Sequence, residues 1–242
     1  MSVKDLPEEL LREILSACLD VSLADFFRFP TLTDNAGHPP RHADLLLASK
    51  QWLRIGAPLL YSSLRLCSPS HAAEVARLLS ASPGLGSAIV NLRIEENCGS
   101  SLVEIVKCAP RVQRLYISVC HMSSHDVEHL RQALPHILPK QLFLVDMTRV
   151  MRFFTLFPWP PGTKADEALH VVEHTIAHHW TMLQSIHFGP CFPITPTTSL
   201  ALDQAVQGRL PGEKNPLQIV CWDLDGSSNR VTAGTSRPSP KR

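Results

Sequence analysis

Val90-Asn91-Leu92-Arg93-Ile94 alternates apolar and polar residues, and the same texture recurs along the chain. It appears as Ser63-Leu64-Arg65-Leu66 before this stretch. After it come Val112-Gln113-Arg114-Leu115-Tyr116-Ile117, Gln141-Leu142-Phe143-Leu144, Leu183-Gln184-Ser185-Ile186-His187-Phe188 and Leu217-Gln218-Ile219-Val220-Cys221-Trp222. A period of two sends successive side chains to opposite faces, so each segment predicts a half-buried strand. The intervening stretches carry helical spacing instead. Residues 72–80 repeat at Val75, Ala76, Leu78 and Leu79, and residues 101–109 at Leu102, Ile105 and Val106. Residues 124–134 repeat at Val127, Leu130 and Leu134, with Ser124 as N-cap. Residues 164–179 and 200–206 read as further helices.

The first four strand centres, Leu64, Leu92, Leu115 and Leu142, are 28, 23 and 27 residues apart. A strand–helix unit of the leucine-rich class occupies about 20–29 residues. Parallel strands need a crossover, and a helix supplies it. The later intervals, to Ile186 and Ile219, lengthen to 44 and 33. Phe153, Phe154, Phe157 and Trp159, among Pro158, Pro160 and Pro161, mark a distorted or inserted unit there. The asparagine of the strict leucine-rich consensus holds no fixed place, so the repeats are degenerate. The fold class is α/β: a small N-terminal helical module, then an irregular leucine-rich-repeat-like solenoid with parallel strands. A two-layer α/β domain with a mostly parallel sheet is the competing reading. The boundaries fall at 1–62 for the module, 63–225 for the repeat domain and 226–242 for a disordered tail rich in Ser, Thr, Gly and Pro. The last strand then has no capping repeat behind it.

The module opens with Leu6-Pro7-Glu8-Glu9-Leu10-Leu11-Arg12-Glu13-Ile14-Leu15. Proline suits the first turn of a helix, and the two glutamates favour the positive end of its dipole. Leu10, Leu11, Ile14, Leu15, Cys18 and Leu19 form an apolar stripe from residue 7 to about 19. Residues 21–27 suggest a second short helix. Pro30 to Arg41 breaks the pattern with turn signals at Asp34-Asn35-Ala36-Gly37 and Pro39-Pro40. Helical spacing returns at Leu45, Leu46, Leu47, Trp52 and Leu53, and a short helix at residues 58–61 closes the module.

Leu6-Pro7-Glu8-Glu9-Leu10-Leu11 with Ile14-Leu15, then Ala48-Ser49-Lys50-Gln51-Trp52 and Ala57-Pro58-Leu59-Leu60-Tyr61, resembles an F-box-like domain of the fungal type. The resemblance covers about a quarter of the chain. It implies a three-helix module that packs on the Skp-type adaptor of a cullin-based E3 ubiquitin ligase. The matching adaptor contacts are Leu6, Pro7, Leu10, Leu11, Ile14, Leu15, Leu47 and Trp52. The repeat domain would hold a target protein and raise its effective concentration at the ubiquitin-charged enzyme. Two features depart from the pattern: the insertion-like stretch 29–41, and Ala48-Ser49 in place of valine-cysteine. The blander reading packs Leu10, Leu11, Ile14 and Leu15 only on Trp52 and Leu47 of the same chain.

Composition narrows the classes. The 242 residues carry a net charge of +1, which offers no electrostatic case for nucleic acid or an anionic membrane. No apolar run approaches the ~18 residues of a membrane span. Glu8 and Glu9 fall where a signal core would begin, so the expected setting is cytoplasmic or nuclear. Seven cysteines without a C-x-x-C read as buried thiols in a reducing compartment.

Catalytic motifs are sparse. No G-x-S-x-G, P-loop or G-x-G-x-x-G occurs, and Gly84-Leu85-Gly86-Ser87 lacks the spacing. His170, His174 and His178 share one helix face with His179 or Glu173 nearby, but Val171 and Thr175 stand where H-E-x-x-H has glutamate, no cysteine pair completes a zinc set, and a solvated face explains them. Asp223 and Asp225 read as a polar turn. The expectation is an adaptor with no catalytic, cofactor or metal residues. A non-ligase scaffold with the same solenoid is the alternative, and an α/β enzyme comes third.

Overall fold

Each alternating segment becomes a strand of one sheet, and the strands follow one another in chain order. The computed structural model describes residues 6–28, 43–96, 98–119, 122–145, 165–189, 217–222 and 228–232, with the backbone alone at 165, 166, 222 and 228–232. β1 (Ser63–Leu66), β2 (Asn91–Ile94), β3 (Arg114–Ser118), β4 (Gln141–Val145), β5 (Ser185–Phe188) and β6 (Gln218–Trp222) are parallel. Leu64, Leu92, Leu115, Leu142, Ile186 and Ile219 stand opposite one another across the whole parallel run. The centres picked from the sequence are therefore true register partners.

The crossovers are α4 (Pro69–Ala81), the short α5 (Pro83–Gly86), α6 (Ser101–Cys108), α7 (Ser124–Ala133) and α8 (Ala165–His178). α4, α6, α7 and α8 pack side by side in that order. Their apolar stripes meet the leucine row of the sheet in one core, through Leu79, Ile105, Leu130 and Val172 among others. Full burial of such a side chain stabilises by roughly 1.5–3 kcal/mol. Trp180 closes the helical layer after α8, its buried indole N–H donating to the carbonyl of Leu134 at 3.2 Å.

Local chemistry sets the ends of the helices. α7 starts one residue earlier than expected from Ser124. Ser123 is the cap, and its side chain and the Asp126 carboxylate complete a capping box. α5 carries no periodic pattern and was not foreseen. It lies so close to α6 that a Cβ on Gly86 would sit 2.1 Å from the carbonyl oxygen of Cys108.

The helical module comprises α1 (Glu8–Leu19), α2 (Leu23–Phe26), a 3-10 turn (Ala43–Ala48) and α3 (Lys50–Tyr61). α3 runs unbroken through Pro58, where a separate closing helix was expected. Proline inside a helix costs about 3 kcal/mol. The packing of Ile55, Leu59 and Leu60 against the core of Leu11, Leu15, Leu19 and Leu46 offsets that cost.

Three further expectations change. The strands were read as half-buried, yet both faces of the sheet are largely buried, which is the usual state of parallel sheets. Ser228–Thr232, placed in a disordered tail, forms β7 and pairs antiparallel with β6, covering an edge that would otherwise present unpaired backbone groups. Cys18 and Cys67 are exposed, although buried thiols were expected, while Cys98 is buried. The turn signals at 30–41, the aromatic zone at 153–161, the helix at 200–206 and the Asp223–Asp225 pair lie outside the described residues.

Candidate protein-docking surfaces

α1 carries one wide apolar stripe, and the fold splits it into two rows. Leu11, Leu15 and Leu19 point inward and are 0, 0 and 2 % exposed. Leu10 and Ile14 sit one position back on each turn, and about 100° of rotation leaves them 48 and 45 % exposed. The inward row meets Leu46 of the 3-10 turn, with Trp52, Ile55, Leu59 and Leu60 of α3 against it. α3 comes close because it has Gly56 at the crossing, where a Cβ would collide with Leu46.

The eight residues that the F-box resemblance marks thus divide. Leu11 and Leu15 are sealed in the core of the module, and Trp52 is half-buried against it. Leu6 is half-buried and Pro7 is exposed, serving as the cap of α1. Leu10, Ile14 and Leu47 face outward, Leu47 being the most exposed large apolar side chain among the described residues of the module at 82 %. Leu53 on α3 joins the outward set at 50 %. Its position was visible in the helical spacing but was not singled out. Arg54 pairs with Glu8 between α3 and α1, but both side chains are exposed, so the pair adds little to stability.

A second surface feature was missed altogether. Residues 21–28 cross to the sheet face opposite the helices, so the module and the sheet are not independent. Phe26 and Phe27 are 2 and 5 % exposed, and they cluster with Tyr116, Phe143 and Val145. The Phe27 ring stacks on Phe143 at 4.5 Å, and Phe143 stacks in turn on His187 at 4.3 Å. Arg93, only 3 % exposed, holds this strap. Its guanidinium lies 4.0 Å above the Tyr116 ring, donates to the carbonyls of Phe26 and Arg28, and pairs with Glu95 at 2.6 Å. Arg65 donates to the other oxygen of Glu95, so that carboxylate bridges two arginines. A polar ladder runs beside it: Asn91 donates to Ser63 at 2.8 Å, and Arg114 donates to both Asn91 and Gln141. The available signal was two adjacent phenylalanines in a chain with only 6 % aromatics.

His170, His174 and His178 project from α8 as the spacing predicts, all exposed. The His174 and His178 rings lie 4.3 Å apart, edge to face. Desolvation, then the neighbouring His178, His179, His170 and Arg131, hold the His174 imidazole below its ordinary value. Among the described residues, no three His, Cys, Asp or Glu side chains are grouped to hold a metal ion, and no helix is long and apolar enough to cross a membrane. Comparison of the whole sequence with protein-family models and with curated proteins finds no match.

Proposed function

We propose that this chain is the substrate-recruiting subunit of a Skp–cullin–F-box type ubiquitin ligase in the cytoplasm or nucleus. The helical module docks the adaptor, and the leucine-rich-like α/β domain holds a target protein. The chain itself performs no chemistry in this role. The observation that carries the reading is the outward-facing apolar set of the module: Leu10, Ile14, Leu47 and Leu53 remain exposed after the module has filled its own core. Burying apolar side chains of this size against a partner stabilises by roughly 1.5–3 kcal/mol each. The in-register parallel strands, the first four of them followed by α4, α6, α7 and α8 packed side by side, support the solenoid reading of the second part.

The resemblance alone assigned Leu11 and Leu15 to the partner. In the proposal that stands here they shape the module, and Leu10, Ile14 and Leu47 make the contact. The test is binding of the full chain to a purified Skp-type adaptor, with Leu10→Asp and Leu47→Asp as variants. Both should weaken binding by at least about 30-fold, since each places a charge in an apolar contact, and both should melt with the parent. A folded parent that fails to bind removes the ligase assignment. It would leave the second reading, a scaffolding protein without ligase docking, which the inward packing of Leu11, Leu15 and Trp52 favours.

A further inference from the structure

A cavity of about 390 Å³ lies where the strap, α3 and the β1–α4 connection meet. That is the size of a small-molecule site, for which about 300–1,000 Å³ is usual. Val21, Phe26, Leu60, Leu64 and Val75 supply apolar wall. Cys67 and His71 supply the reactive part. Cys67 follows β1 directly, and His71 lies in the first turn of α4, so the strand-to-helix turn brings the two side chains together. The thiol Sγ is 3.7 Å from the imidazole Nδ1, and Cys67 is exposed. The turn is held by Ser68, which caps α4 by accepting from the His71 backbone N–H.

We infer that Cys67 and His71 form a nucleophilic site that takes up a soft electrophile with an apolar tail, an α,β-unsaturated carbonyl compound, into this cavity. The imidazole accepts the thiol proton as sulfur attacks the β-carbon. A carbon–sulfur bond forms, the carbon–carbon π bond breaks, and its electron pair passes to the carbonyl as an enolate. The proton on His71 then goes to the α-carbon. The product is a thioether, with all atoms of both reactants retained and no oxidant or reductant consumed. The tail lies against the apolar wall. This inference is independent of ligase docking.

The protein contains its own controls. Cys18 is exposed like Cys67 but occupies the last turn of α1. Cys98 is buried, and burial, followed by Cys67, Asp126 and Glu96, pushes its thiol up to about 12. A thiol so held is a poor nucleophile. The experiment treats the folded full chain at pH 7.5 with trans-2-nonenal or, in parallel, the short β-alkyl analogue trans-2-butenal. Site-resolved mass spectrometry then follows each cysteine over time.

Cys67 should react at least about 10-fold faster than Cys18, and the long tail should accelerate Cys67 alone. His71→Gln should bring Cys67 down to the rate of Cys18 without changing the melting temperature. Equal rates at Cys67 and Cys18 would overturn the inference. So would an unchanged Cys67 rate in His71→Gln, or a tail preference shared by both thiols. Should His71→Gln melt early, the parent's ratio of Cys67 to Cys18 and its dependence on tail length decide the matter alone.

Discussion

The two faces of the sheet obey different rules. On the helix-covered face, one register row reads Leu64, Leu92, Leu115, Leu142, Ile186 and Ile219. On the other face, the adjacent row reads Arg65, Arg93, Tyr116, Phe143, His187 and Val220. Each leucine meets the same kind of surroundings, a helix stripe packed against its own strand and the next, so the same residue recurs. Among the described residues, the strap meets the opposite row at Arg93, Tyr116 and Phe143, and through a different contact at each. Each position therefore faces something different, and the residue types diverge. Repetition belongs to the face that builds the fold, and variety belongs to the face that docks one particular segment.

The largest expected effect breaks the repeated face. Leu115→Ala removes a fully buried side chain from the middle of the leucine row. It should cost about 2–5 kcal/mol, read as a shift of the urea midpoint with an unchanged slope. The next effect sharpens the contrast. Arg93→Met keeps the stem but removes the donor to the carbonyls of Phe26 and Arg28 and the partner of Glu95. A cost on the order of 2–3 kcal/mol is expected, smaller than that of Leu115→Ala, because Glu95 retains Arg65. Faster amide hydrogen exchange should concentrate at residues 23–28 and leave β3 protected. Exchange that rises equally across the leucine row would show that the two faces do not open separately.

The smallest effect lies on the helical layer. The folded state holds His174 below its ordinary value, so around pH 6.5 the folded chain binds fewer protons there than the unfolded chain. Stability on this account is present above the unfolded value. It falls as pH drops below about 6.5, and the loss is complete beneath the folded value. His174→Gln should flatten the dependence of melting temperature on pH below 6.5 and leave stability at pH 8 unchanged. A variant as acid-sensitive as the parent would place the response elsewhere.

Much of the architecture was legible because it is local. Period-two alternation located β1 to β6, and leucine spacing located the register of the first four strands. Other features depended on a choice between near-equals. Ser123 and Ser124 are both capping residues, and Asp126, three places after Ser123, decides between them through the reciprocal bond of the capping box. α5 has four residues and no period to read. Pro58 argued for a break, and tertiary packing overrode it. Of the candidate docking residues, the apolar character of Leu10, Leu11, Ile14 and Leu15 was plain, but their division into a wall and a surface was not.

The sequence alone determined the strands β1 to β6, the crossover helices α4, α6, α7 and α8, and which of their side chains share a face, because backbone geometry ties those properties to spacing of two or 3.6 residues. Only the tertiary structure decided what each face meets. It turned Leu11 and Leu15 inward and Leu10 and Ile14 outward, laid Phe26 and Phe27 over Phe143 and Tyr116, and set Cys67 beside His71 at a cavity. Periodicity orients a face relative to its own element. The partner of that face is chosen by the packing of chain segments tens of residues apart.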